Sequence, residues 1–157
     1  IHATGKSGFA FAKKHFLERG YTEKDDGSLR LGNVTVREYI YNMPSLVAAA
    51  DVVISRAGAM TVSELAAMKK AAILIPSPNV TNNHQCKNAK VLADANGAVL
   101  IEEKDISGKL LTDTVKELCT NAEKRHSLEK NIAEFAVTDS LERIYGVIED
   151  TLKKSGK

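Results

Sequence analysis

Tryptophan is absent and the other aromatics are few: four Phe and four Tyr, 5% of the 157 residues. So few rings exclude a base-stacking platform for single-stranded nucleic acid. Cysteine is almost as scarce. Cys86 and Cys119 lie too far apart for a Cys-x-x-Cys metal or redox motif. With no secretory signal they read as free thiols of a reducing cytosol. Neither charge sign prevails, since 22 basic against 20 acidic side chains leave a net charge of +2. That is too little for a broad nucleic-acid footprint. No apolar run approaches the roughly 18 residues of a membrane span, and the longest, Ala71 to Pro76, suits a buried strand. His2, His15, His84 and His126 have no metal-ligand spacing. A Gly-x-Ser-x-Gly elbow, a Walker phosphate loop and an Asp-x-Asp metal pair are also missing.

What is present has the balance of a globular protein, 43% hydrophobic and 27% charged. The length suits a single domain over residues 1–157, or part of a larger one. Ile1-His2-Ala3-Thr4-Gly5-Lys6 reads as a strand running into a loop, so the chain is expected to be a piece of a longer polypeptide. Apolar periodicity then switches repeatedly. Phe9, Ala12 and Phe16 mark a helix stopped by Gly20, and the charged stretch Glu23 to Gly32 reads as a loop. Val34–Ile40, Val52–Ile54, Ala72–Ile75 and Ala98–Ile101 read as strands. Helices are expected over Met43–Ala50, Thr61–Lys70 and Asn82–Ala95, the last stopped by Gly97. Three more follow, marked by Leu111, Val115 and Leu118, by Leu128, Ile132 and Phe135, and by Leu141, Ile144, Tyr145, Ile148 and Leu152. Lys153, Lys154 and Lys157 make a small basic tail, read as a solvated helix end.

Strands alternating with helices predict an α/β fold, a Rossmann-like parallel sheet with right-handed crossovers. Ligands of such sheets sit beyond the carboxyl ends of the strands. The richest loop there is Ser55-Arg56-Ala57-Gly58-Ala59-Met60-Thr61-Val62-Ser63-Glu64. Small residues let a ligand approach the backbone, and the first amides and dipole of a helix favour phosphate. Thr61-x-x-Glu64 also has the spacing of a capping box, a purely structural use. Glu64 serves a ligand only if it leaves the cap, where its carboxylate suits vicinal hydroxyls such as those of a ribose. The second loop, Pro76 to Gln85, offers polar groups for a sugar, or merely a turn with Asn82 or Asn83 capping the next helix. The third, Tyr39 to Pro44, offers backbone groups for the edge of a base, or an ordinary turn.

Taken together, the loops resemble one known family. Ala50-Asp51-Val52-Val53-Ile54-Ser55-Arg56-Ala57-Gly58-Ala59-Met60-Thr61-Val62-Ser63-Glu64-Leu65 resembles the donor-site signature of the MurG family of bacterial N-acetylglucosamine transferases. Ile75-Pro76 with Asn82-Asn83-His84-Gln85 and Asn88-Ala89 resembles its sugar-contacting segment. Tyr39-Ile40 with Met43 resembles its uracil-side loop, and Thr4-Gly5-Lys6 an earlier turn. The motifs keep their order over nearly the whole chain. The resemblance implies the carboxyl-terminal, donor-binding domain of a two-domain GT-B enzyme, without the first strand of that domain and its Gly-Gly-Ser loop. A sheet lacking that strand is expected to be strained, rearranged or completed by other residues.

The same resemblance implies roles. Glu64 is expected on the ribose hydroxyls, and the backbone at Ala59, Met60 and Thr61, with the Thr61 hydroxyl, on the diphosphate. Ile40 meets uracil through its backbone, and Gln85 and His84 meet N-acetylglucosamine. Arg56 steadies either diphosphate charge or the closed cleft. The implied reaction transfers N-acetylglucosamine, with inversion, from UDP-N-acetylglucosamine to an undecaprenyl-linked muramoyl-pentapeptide of peptidoglycan synthesis. It needs no metal or cofactor. The base and the acceptor contacts belong to an absent amino-terminal domain, so this chain alone is expected to be inactive. The intact enzyme would sit peripherally on the cytoplasmic face of the cell membrane, with no nucleic-acid partner. Two alternatives stay open: the donor-binding subunit of a split dolichol-linked N-acetylglucosaminyltransferase, and a nucleotide-sugar binding module without catalysis.

Overall fold

The computed structural model describes residues 1–155; Lys157, the last member of the basic tail, lies outside them. The chain forms two compact units, one over Ile1–Ser45 and one from Leu46 onward.

The first unit holds β1 (His2–Ala3), α1 (Lys6–Glu18), β2 (Thr22–Glu23), β3 (Leu29–Leu31) and β4 (Val34–Arg37). Its sheet order is β1-β4-β3-β2. β1 and β4 are parallel, while β2, β3 and β4 run antiparallel. The segment expected as a loop over 23–32 therefore carries a hairpin. Asp26 builds its turn, accepting from the Ser28 amide at 3.1 Å and the Ser28 hydroxyl at 2.5 Å. Strands of two and three residues are too short to show alternation among charged neighbours. α1 ends as expected at Gly20, whose φ of 85° closes a Schellman turn: Gly20 N donates to Leu17 O and Tyr21 N to Phe16 O. Buried residues are Ser28, Leu29, Val36 and Ile40, and α1 buries none.

α2 (Met43–Ala49) leads into β5 (Val52–Ser55), α3 (Ala59–Ala67) and β6 (Ala71–Leu74). A 3-10 turn (Thr81–Asn83), α4 (His84–Asp94) and β7 (Val99–Leu100) follow, then α5 (Gly108–Thr120), α6 (Ala122–Ala133) and α7 (Ser140–Lys154). β5, β6 and β7 form a parallel sheet in that order, with β6 in the centre. All four β6 residues are buried. Successive side chains of a strand point to opposite faces. Accordingly, Ala72 and Leu74 pack with Leu65, Ala66, Ala89, Leu92 and Ile132, and Ala71 and Ile73 with Leu118 and Leu128. Side-chain caps start two of the flanking helices. Ser107 Oγ accepts from Leu110 N at 3.1 Å, and Asn121 Oδ1 from Lys124 N at 3.0 Å.

The parallel sheet flanked by helices agrees with the sequence, but the strands fall into two sheets instead of one. β1 and β5 are each an edge strand of their own sheet. α7 forms where the periodicity placed it, yet buries nothing. Leu141, Ile144, Tyr145, Ile148 and Leu152 remain exposed along it. Among the described residues no helix is long and apolar enough to cross a membrane.

Candidate functional site

The carboxyl ends of β5 and β6 carry most of the residues singled out above. α3 starts two residues earlier than the sequence suggested. Gly58, extended at φ −64° and ψ 149°, takes the N-cap position, and no side chain caps the helix. The first intrahelical bond is Val62 N to Gly58 O at 2.9 Å. Ala59, Met60 and Thr61 are therefore the first three helical residues, and their amides have no partner within the helix. The capping box does not form. Thr61 is the third residue of α3 and Glu64 the sixth, both on one face, with Glu64 exposed. The helix dipole places partial positive charge at those open amides.

Two side chains tie this loop down. Asn88 Nδ2, from α4, donates to Ala57 O at 3.1 Å. Arg56 Nη1 donates to Ile75 O at 3.2 Å and pairs with the Glu103 carboxylate. Ser55 Oγ is buried at the start of the loop without a hydrogen-bond partner, an uncommon state for a buried hydroxyl.

The second cluster opens α4. Asn82 and Asn83 are both left-handed, at φ 55° and 51°. Asn83 occupies the N-cap position but its side chain does not cap, so the expected Asn cap is absent. His84 Nδ1–H donates to Thr81 O at 2.8 Å, and the ring is exposed. Gln85 Oε1 accepts from Ser77 N at 2.9 Å, leaving its amide NH2 to donate elsewhere. An open hollow beside these residues is lined by Pro76, Pro78, Asn83, Cys86, Glu102, Glu103 and Lys104. On its rim Lys104 donates to Glu102; that hydrogen bond, and then the ammonium charge, hold the Glu102 carboxyl below its ordinary pKa.

Thus Arg56, Ala59, Met60, Thr61, Glu64, His84 and Gln85 lie at the ends of adjacent strands of one unit. Ile40 belongs to the other unit, buried and three residues past the end of β4, where the strand had been expected to continue. Sequence reasoning gave no role to Ser55, Asn88 or Glu103. Asn88 was visible in the family pattern; Glu103 had no signal, because its partner is 47 residues away. Among the described residues no three His, Cys, Asp or Glu side chains gather as a metal site requires.

An open parallel sheet, helices on its faces and an uncapped helix N-terminus at its carboxyl edge define the Rossmann-like architecture of a GT-B glycosyltransferase domain. Residues 1–144 match the family model "Glycosyltransferase family 28 C-terminal domain", and the chain belongs to that family. Two relatives carry the name UDP-N-acetylglucosamine–N-acetylmuramyl-(pentapeptide) pyrophosphoryl-undecaprenol N-acetylglucosamine transferase. That of Acetivibrio thermocellus is 40% identical over 130 residues, 83% of this chain and 35% of the relative. That of Desulforamulus reducens is 34% identical over 154 residues, 98% of this chain and 40% of the relative. The chain thus spans well under half the length of these relatives. The crystal structure of Acinetobacter baumannii MurG superposes with a TM-score of 0.67 at 28% identity, over 73% of this chain and 34% of that one.

Proposed function

We propose that this chain binds UDP-N-acetylglucosamine as the donor half of an inverting glycosyltransferase of peptidoglycan synthesis. The observation that carries the reading is the start of α3: three open amides with an unengaged carboxylate one turn further along the same helix. The amides of Ala59, Met60 and Thr61, with the Thr61 hydroxyl, hold the diphosphate, and Glu64 accepts from the ribose hydroxyls. Gln85 and His84 face the N-acetylglucosamine, and the backbone at Ile40 reads uracil. The names of the relatives support the donor and the acceptor, an undecaprenyl-linked muramoyl-pentapeptide.

In this reading, catalysis by the domain is electrostatic. Charge grows on the leaving diphosphate as the sugar departs. Oriented amides at a helix N-terminus aim positive potential at it without reorganising, and no metal is called on. Losing one preorganised donor of this type costs roughly 10²- to 10³-fold in rate. The base and the acceptor contacts come from the other part of the full-length enzyme, which works peripherally on the cytoplasmic face of the membrane.

Calorimetric titration of the chain with UDP, and with ADP and GDP as controls, tests the donor site. UDP is expected to bind tightest, and absence of UDP binding by folded chain would sink the reading. A radiolabelled-donor assay with lipid acceptor is expected to give no turnover from the pure chain.

A further inference from the structure

β5, β6 and β7 lie side by side, and one guanidinium joins the ends of all three. Arg56 directly follows β5, Ile75 directly follows β6, and Glu103 stands three residues beyond β7. Arg56 Nη1 donates to Ile75 O and to the Glu103 carboxylate. The backbone ladder runs up to this point: Ile75 N donates to Ser55 O at 2.9 Å and Ile101 N to Leu74 O at 3.0 Å. Glu102 and Lys104, on either side of Glu103, pair with each other at 2.9 Å, which leaves Glu103 to Arg56.

We propose that Arg56 is a positioning residue and Glu103 its counter-ion: together they strap the three strand ends and thereby aim the first amides of α3. This rests on the donor-site reading above, and it assigns Arg56 away from the diphosphate. Nη1 is already committed to two acceptors on the β6–β7 side, and one of them, the Glu103 carboxylate, offsets the guanidinium charge that a phosphate would seek. The next two residues lead directly into α3. Ala57 is buried with its carbonyl held by Asn88, and Gly58 is the N-cap. With Arg56 fixed on one side and Ala57 on the other, the N-terminus of α3 has little freedom to swing. Both partners of the ion pair are substantially exposed, so the strap adds little to global stability. Its effect is local.

A double-mutant cycle tests this on the 157-residue chain, using Arg56→Gln, Glu103→Gln and the pair, with Glu103→Asp as the conservative variant. UDP affinity is read by calorimetry, and amide exchange at Ile75 and Ile101 by NMR. The strap predicts that each single variant weakens UDP by about threefold to tenfold and that the double variant is no worse than either. Glu103→Asp keeps the charge and recovers part of the loss. Exchange at Ile75 and Ile101 quickens alike in the three Gln variants, while the melting temperature barely moves. If Arg56 instead touches the diphosphate, Glu103→Gln frees it, and UDP binding stays the same or tightens; that result overturns the strap. Should the wild-type chain fail to bind UDP, the donor reading falls and the exchange measurement decides the strap alone. Unchanged exchange in Glu103→Gln rejects it.

Discussion

The two units are built from similar short strands but keep very different interiors. In the first, four residues are buried, one of them Ser28, and the helix α1 contributes none. Its shape rests on turn chemistry, with Asp26 holding the β2–β3 hairpin and Gly20 closing α1. In the second, β6 is covered on both faces, and α3, α4, α5 and α6 each place at least one residue in the core. A strand buried on both sides cannot slip or tilt without breaking two sets of contacts. The strand ends of that unit are therefore a firm platform, suited to holding a charged ligand in one geometry. The loop bearing Ile40 belongs to the unit that is held mainly by turns.

The largest effect expected from this contrast is on stability. Leu74→Ala removes a fully buried side chain from the carboxyl end of β6, the central strand, and should cost about 2–5 kcal/mol in denaturant unfolding. Leu29→Ala, the same truncation at a fully buried site of the first unit, should cost less, since fewer buried residues surround it. Equal losses would break the comparison. Next comes ligand affinity. Glu64→Ala should weaken UDP by about 1.5–3 kcal/mol, as for charge-assisted bonds, and Glu64→Gln by less. Because Glu64 caps nothing here, the Ala variant should melt close to wild type, and a marked loss of stability would return the residue to a structural role.

Gln85 separates loop from sugar. Its Oε1 already holds the Ser77 amide, so Gln85→Ala alters both the loop and any sugar contact. Gln85→Glu keeps the acceptor for Ser77 and removes the donor. In the full-length enzyme it should lower transfer from UDP-N-acetylglucosamine by about 0.5–1.5 kcal/mol, with UDP inhibition nearly unchanged. Unchanged transfer in Gln85→Glu would mean that Gln85 only shapes the loop.

The smallest effect is in the first unit and depends on pH. The hydrogen bonds from the Ser28 hydroxyl and amide, then the nearby Arg37 and Arg30 charges, hold the Asp26 carboxyl below the ordinary carboxylate range. A depressed carboxyl pKa adds stability that is fully present above the unfolded value and is lost as pH falls through the folded one. Protection of the Ser28 amide should therefore persist at neutral pH and fall only below about pH 3.8, a loss that Asp26→Asn should abolish. A transition near pH 6 would contradict the assignment to Asp26.

Most of the second unit was legible in the sequence because its signals are long or strongly apolar. β6 is a continuous apolar run, and the 11- to 15-residue helices α4 to α7 show clear periodicity. Local alternatives were harder. Thr61-x-x-Glu64 has capping-box spacing, yet Gly58 takes the cap, because Ala59 and Met60 enter a helix at little cost and a glycine adopts the extended N-cap conformation readily. Asn83 sits at a cap position, but in a left-handed conformation its side chain makes no capping bond. The three-residue strand β3 is too short for periodicity. Pairings such as Arg56 with Glu103 are set by tertiary folding alone and leave no trace in local spacing.

Gly97 had been read as the stop of α4, but that work is done by its neighbour. Asn96 is the left-handed residue at φ 52°, and the Schellman bonds run from Asn96 N to Ala93 O and from Gly97 N to Leu92 O. What Gly97 contributes is emptiness. A Cβ there would stand 3.1 Å from the Ile132 Cα and amide nitrogen, and Asn131 Nδ2 reaches across to Asn96 O at 3.0 Å. Two backbones thus meet so closely that any side chain at position 97 would require them to part by a few tenths of an ångström. In a library randomised at position 97 and selected for folding, glycine should be enriched, whereas position 96, where the backbone is strained but open, should admit glycine beside asparagine.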